Sequence, residues 1–196
     1  MTLKVVIFVA CVLVIGLMAT WFLVPKFLEQ PDYVIIEKER KFEIRRYEAM
    51  LLQSVNVIGD QYSSLRTGFR PLISYIGAKQ RDGDKISMTA PVMQAKGDND
   101  NNWVISFAMP SKYTKTSLPD PLDESLFTEE FQSSTAAVIR FNGRADEGML
   151  LEKTEALLDW LQDTDYLITS RPKYMFYNDP STPGFLRRNE VMVLIK

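Results

Sequence analysis

One pattern occurs twice in this chain, and it limits the fold more than any other feature. Leu72-Ile73-x-Tyr75-Ile76 matches Leu157-Leu158-x-Trp160-Leu161 at an offset of 85 residues. Ile105, Phe107 and Met109 match Val191, Val193 and Ile195 at an offset of 86. The first pair has the period of a helix and the second the alternation of a strand. Two amphipathic helices can match by chance. A helix and a strand recurring at nearly the same offset imply two strand-helix-strand-strand units sharing one sheet. The expected fold class is α+β, with duplicated βαββ-type units forming a curved, mostly antiparallel sheet or open barrel that carries two helices. A cleft where the halves of such a sheet meet is a usual place for a small-molecule site.

The rest of the domain follows this frame. Tyr33 to Glu37, Phe42 to Tyr47 and Leu51 to Val57 read as strands. Leu65, Phe69, Leu72, Ile73 and Ile76 form one apolar helical face, and Gly68 and Pro71 predict a late start or a kink. Ile86 to Gln94 reads as a strand interrupted at Pro91, which cannot donate a ladder hydrogen bond. A polar turn over 96–102 leads into a strand on which Trp103, Ile105, Phe107 and Met109 share a face. Ala136 to Phe141 is a strand, and Asp146 to Gln162 is a helix capped at or near Asp146. Tyr174 to Tyr177 and Val191 to Ile195 complete the set.

Val5 to Pro25 is an uncharged apolar run of 21 residues between Lys4 and Lys26. At ~1.5 Å per residue it matches a hydrocarbon core of about 30 Å, with Trp21 and Phe22 placed for an interfacial belt. The expected organisation is therefore a transmembrane anchor over 1–25, a linker over 26–32 and a domain over 33–196. A cleaved signal peptide or a lipoprotein signal at Cys11 are the competing readings. Basic residues beyond the run favour a cytoplasmic domain, whereas its position at the start of the chain favours an export-type anchor. The latter places the domain on the extracytoplasmic side.

Composition then removes whole classes of chemistry. The chain has no His and one Cys. This excludes a His general base, Ser-His and Cys-His pairs, His-bound zinc, His-ligated haem iron and an intrachain disulfide. A net charge of −2 provides no electrostatic reason to expect a nucleic-acid partner. Asp163, Asp165, Asp179 and Glu190 form no acid-base or metal pattern. Asp98-Asn99-Asp100 lacks the Gly and closing Glu of a calcium loop and reads as a turn. No enzymatic activity is expected.

Four stretches carry a resemblance. They are Phe42-Glu43-Ile44-Arg45-Arg46-Tyr47; Lys85-Ile86-Ser87-Met88-Thr89-Ala90-Pro91-Val92; Ser106-Phe107-Ala108-Met109-Pro110-Ser111-Lys112-Tyr113; and Tyr177-Asn178-Asp179-Pro180 continuing through Phe185 to Val191. In this order and spacing, over residues 33–196, the chain resembles the SOUL family of haem-binding proteins. The resemblance implies a duplicated fold like that of gyrase-inhibitor-type effector-binding domains. It also implies non-covalent binding of haem or another tetrapyrrole in an apolar groove beside the first helix of the domain, for buffering, transport or sensing. A different amphipathic ligand, such as a lipid or drug-like molecule, is the alternative.

The candidate ligand residues are Arg66, Arg70, Ile73, Lys79, Lys85, Met88 and Tyr177. Arg66 and Arg70 lie one helical turn apart, with Lys79 and Lys85 flanking the next loop, so the four read either as a cationic rim for propionates or as a solvated face. Met88 and Val92 either line the groove or fill the core. Arg187 and Arg188 either clamp an anion or pair with acids such as Glu43. Trp103, Phe107, Trp160, Tyr174 and Phe176 read as core aromatics or as a stacking surface. Met88, Tyr75 and Tyr177 are the possible axial ligands of an iron.

Overall fold

Alternation places Glu43, Arg45 and Tyr47 on one side of their strand and Phe42 and Ile44 on the other, so both faces of the sheet must be covered. The computed structural model describes residues 3–79, 81–97, 99 and 101–196, except for the side chains of residues 3 and 17–26. The chain runs α1 (Leu3–Phe27), β1 (Tyr33–Glu39), β2 (Phe42–Tyr47), β3 (Met50–Ile58), α2 (Gln61–Ile76), β4 (Val92–Lys96), β5 (Asn102–Ala108), β6 (Leu126–Phe131), β7 (Ser134–Asn142), α3 (Glu147–Gln162), β8 (Lys173–Phe176) and β9 (Arg188–Leu194).

The strands form one sheet in the order β1-β2-β7-β9-β8-β4-β5-β3-β6. Every named pairing is antiparallel. The order reveals the duplication. One half contributes β4-β5-β3 and the other β8-β9-β7, meeting where β4 pairs with β8. Outside β3 lies β6, and outside β7 lies β2. The repeating unit is thus β2-β3-α2-β4-β5 against β6-β7-α3-β8-β9, and each leading strand completes the other unit's sheet. The sheet curls into a half-barrel. Tyr47 of β2 and Phe131 of β6, near opposite ends of the strand order, meet edge-on with centroids 6.3 Å apart.

The outer face carries the two repeat helices. α2 lies on β3 and β5, over Val55, Ile105 and Phe107; α3 lies on β7 and β9, over Ile139, Val191 and Val193. Leu72 and Leu157, matched in the sequence repeat, are both fully buried. Burial of such a side chain is worth roughly 1.5–3 kcal/mol. The inner face has its own core, including Tyr47, Leu52, Met93, Val138, Met175, Tyr177 and Met192.

The N-terminal expectation is corrected. The backbone is helical over Leu3–Phe27. The side chains of residues 17–26, and with them the expected belt of Trp21 and Phe22, lie outside the described residues. Among the described residues no helix is long and apolar enough to cross a membrane. The transmembrane helix, the single-pass membrane localisation with an extracytoplasmic domain, and the membrane as a partner through residues 5–25 are therefore not supported. The described residues hold three α-helices, two of them packed on the sheet.

Three local expectations also shift. Neither Gly68 nor Pro71 delays α2, because Asp60 caps it at Ser63 and it runs unbroken to Ile76. Between Lys85 and Pro91 the chain makes an isolated bridge, Thr89 with Glu29, rather than a strand, and the strand begins only at Val92. β6 is an additional strand, reading LFTEEF, whose acidic stretch masks its alternation.

Candidate functional site

α2 sits unusually close to the sheet. A Cβ at Gly68 would lie 2.5 Å from Ile105 Cγ1 and 3.1 Å from Val55 Cγ1, so only glycine allows this approach. Each helical residue advances about 100° around the axis. On that wheel Tyr62, Phe69 and Ile73 fall within a narrow stripe beside the buried face, with Arg66 and Arg70 on its outer flank. The stripe is only partly covered: Phe69 is 36% exposed and Ile73 39%. Phe69 meets Phe107 of β5 edge-on at 5.3 Å. In the sheet register Phe107 faces Val92, and Val92 faces Phe176, giving an apolar row from α2 across β5, β4 and β8. The next row is Ile105, Gln94, Tyr174 and Val191. Tyr174 packs against both helix-bearing cores, and Val92, Tyr174 and Phe176 are only partly buried. The central strands between α2 and α3 thus form a shallow, partly apolar floor.

Cations border this surface. Arg66, Arg70, Lys79 and Lys85 are all exposed. None of them is in an ion pair with a described residue. Arg81 fixes the connecting loop: it is buried, its Nε donates to Tyr75 O at 2.9 Å, and its other nitrogens donate to the Asp82 and Asp84 carbonyls. The structure therefore brings Arg66, Arg70 and Ile73 together on α2 and holds Lys79 and Lys85 on the loop that follows. Met88 is half-buried against the α2 core.

Tyr75 and Tyr177 are placed differently. Tyr75 is buried under α2, and its hydroxyl donates to Pro119 O at 2.6 Å. Burial pushes its pKa up to about 12. Tyr177 belongs to the inner-face core, on the opposite side of the sheet from Phe176, and donates to Glu190 Oε2 at 2.9 Å. Burial, reinforced by the Glu190 charge, raises its pKa well above the ordinary phenol value. The structure does not bring Tyr177 together with the cations of α2.

A charged network only partly anticipated from the sequence, through Arg188 and Glu43, lies beside Tyr177. Arg45, 1% exposed, donates Nη1 to Glu190 Oε2 at 2.8 Å, Nη2 to Glu190 Oε1 at 3.1 Å and Nε to Glu43 Oε2 at 2.7 Å. Arg188 adds two bonds to Glu190 Oε1, at 3.0 and 2.8 Å. Burial would raise the Glu190 carboxyl, but the Arg45 and Arg188 guanidiniums outweigh it and hold the pKa below the ordinary value. Of the two readings given for Arg188, the ion pair is the one formed, with Glu190 as the acid. The alternation of Glu43, Arg45 and Tyr47 was the available signal; the partner 145 residues away was not.

Among the described residues no cluster of three His, Cys, Asp or Glu side chains could hold a metal ion. Glu43 and Glu190 are committed to arginines, which leaves them poorly suited to proton transfer. What the outer face offers is a partly exposed aromatic and aliphatic surface bordered by cations that have no ion-pair partner among the described residues, suited to a flat, apolar, anionic molecule.

Comparison with known proteins agrees with the fold. The C-terminal domain of EcmrR superposes with a TM-score of 0.59 at 14% identity, over 79% of this chain and 96% of that one. A hydrolase from Listeria innocua gives 0.56 at 12% identity, over 82% and 94%. These likenesses concern fold alone. Human heme-binding protein 2 is 30% identical over 162 residues, covering 79% of this chain and 78% of the relative. Mouse heme-binding protein 1 is 27% identical over 136 residues, covering 67% and 71%. The family model described as SOUL heme-binding protein matches residues 28–194, which is all but the first 27 and the last two residues. The chain belongs to the SOUL haem-binding protein family.

Proposed function

We propose that this protein binds haem or another tetrapyrrole non-covalently and without catalysis, on the outer face of α2 and the central strands beside it. The observation that carries this reading is the exposed Phe69–Ile73 stripe flanked by Arg66 and Arg70, neither of which has an ion-pair partner among the described residues. Haem brings a flat apolar ring, two carboxylates and an iron. Phe69, Ile73 and the floor around Val92 and Phe176 supply apolar contact. Arg66 and Arg70, with Lys79 and Lys85 on the adjoining loop, supply charge for the carboxylates, and Arg does so with a two-pronged hydrogen-bond geometry.

Iron ligation is the weaker part of the fit. There is no His. The hydroxyls of Tyr75 and Tyr177 are engaged within the protein, with their pKa values raised. Met88 is the remaining candidate on the α2 side of the sheet. Affinity on this reading comes mainly from the ring and the carboxylates, consistent with a buffer, carrier or sensor.

The test is a titration of the purified chain with hemin, followed by the Soret band and by Trp fluorescence. Saturable binding at micromolar hemin is expected. Arg66→Ala combined with Arg70→Ala removes two exposed pairings of up to ~1 kcal/mol each, so affinity should fall about tenfold. Absence of a Soret shift and of quenching would remove the haem reading. The absence of His favours a second reading, in which the same face holds another amphipathic anion such as a lipid. Native mass spectrometry of protein isolated from its source separates the two by ligand mass.

A further inference from the structure

The duplication repeats the backbone of the two units but not their charge. At the repeat offset of 85 residues Ile73 corresponds to Leu158, and Arg70 corresponds to Glu155. Between Gln61 and Ile76, α2 carries Arg66 and Arg70 and no acidic residue, whereas α3 carries Glu147, Glu152, Glu155 and Asp159 against Lys153. At about 100° per residue, Leu151 and Leu158 fall beside the buried face of α3 as Phe69 and Ile73 do on α2. Leu151 is 56% exposed, and Tyr62, on the α2 stripe, 65%. Each stripe is bordered on its solvent side by two like charges one helical turn apart: Arg66 and Arg70 on α2, Glu155 and Asp159 on α3. All four are exposed, and none is in an ion pair with a described residue. Asp159 Oδ1 accepts one bond, from Gln162 Nε2 at 3.3 Å, and the one lysine of α3, Lys153, pairs with Glu152.

We propose that α2 is a docking surface for α3 of a second copy of this chain. Laid antiparallel, the two helices set stripe on stripe and opposite charge on opposite charge, because this packing keeps each charged pair on the same side of its stripe. Arg70 then meets Glu155 and Arg66 meets Asp159, while Ile73 lies against Leu151 and Phe69 against Leu158. The contact has an apolar centre and a charged rim, the usual build of a protein–protein interface. The other pairings repel: α2 on α2 sets cations against cations, and α3 on α3 sets acids against acids. Each copy offers one surface of each kind, so the contact is head-to-tail. A net charge of −2 leaves little overall repulsion between copies. The α2 stripe is also the surface proposed to meet haem, so the ligand-free chain is the one that docks.

The experiment follows association of the full chain, without hemin, by sedimentation velocity at low ionic strength. One variant combines Arg66→Glu with Arg70→Glu; the other combines Glu155→Lys with Asp159→Lys. The native chain is expected to self-associate, and less so as added salt screens the pairs. Each variant alone sets like charge on like charge and should bind itself about a hundredfold more weakly. An equimolar mixture has opposite charge at every α2–α3 contact. It should associate as the native chain does, with both masses in one complex by native mass spectrometry. Association through the exposed apolar side chains of α1 would be equal in all these samples and would not follow the charges. A native chain that stays monomeric overturns the proposal. So do variants that associate as strongly as the native chain, or a mixture of folded variants that does not recover. Should a reversal fail to fold, Arg66→Gln with Arg70→Gln takes its place: it should weaken association about tenfold, and an unchanged value overturns the proposal.

Discussion

Replacing Glu190 by Ala tests the inner-face network, whose centre at Arg45 and Glu190 the sequence did not reveal. Glu190 is 0% exposed and accepts five hydrogen bonds: two from Arg45, two from Arg188 and one from Tyr177. Without it, Arg45 remains buried with Glu43 as its one acidic partner. Removing one side of a buried pair costs about 3–5 kcal/mol, because the other charge stays desolvated. That is a large part of an ordinary domain stability of ~5–15 kcal/mol. At roughly 2–4 °C per kcal/mol, the melting temperature should fall by about 6–20 °C. Urea unfolding followed by far-UV circular dichroism measures the change directly, provided the transition remains two-state. A loss below about 1 kcal/mol would refute the assigned role of the network. The pH dependence has a definite sign. Glu43 and Glu190 are both held below the ordinary value near 4.5. Their contribution is complete above that unfolded-state value and is lost as pH falls through the lower folded values, so stability should decline on acidification in that range.

Three further outcomes are expected. Gly68→Val forces α2 away from Ile105 and Val55, costing about 1–3 kcal/mol in urea unfolding and weakening hemin binding in the same variant. Gln94→Leu removes the acceptor of Gln61 Nε2, 2.6 Å away, and leaves a buried amide unpaired, so thermal melting should report a loss of about 1–3 kcal/mol. Met88→Ala tests iron ligation: if Met88 ligates, the ferric absorption spectrum of the hemin complex shifts, whereas an unchanged spectrum removes Met88 as a ligand.

The legible parts of the fold were those written in local periodicity. Trp103, Ile105, Phe107 and Met109 share one core beneath α2, as their alternation required. Asp146 caps α3, and Leu150, Leu157 and Leu161 face the sheet. Local pattern failed where tertiary contact decided the outcome. Pro71 lies inside α2 because the Asp60 cap and the close seat of Gly68 on Ile105 fix the helix across it. The five apolar residues of α2 did not all go inward: Leu72 and Ile76 are buried, whereas Phe69 and Ile73 stay at the rim. The exchange of leading strands between the repeats was illegible, since β2 pairs with β7 across some ninety residues. Of the candidate site, Arg66, Arg70 and Ile73 could be placed from helical spacing, whereas Tyr177 could not. Its strand alternates, and only the register shows that it points inward beside Glu190.

The central claim is that ligand binds the outer face at α2. Hydrogen–deuterium exchange of the full chain with and without saturating hemin tests it most directly. Binding there predicts slower exchange in peptides covering residues 61–79 and 92–96, with little change across 126–131. Protection confined to peptides outside 61–79 and 92–96, or no protection at saturating hemin, would contradict it.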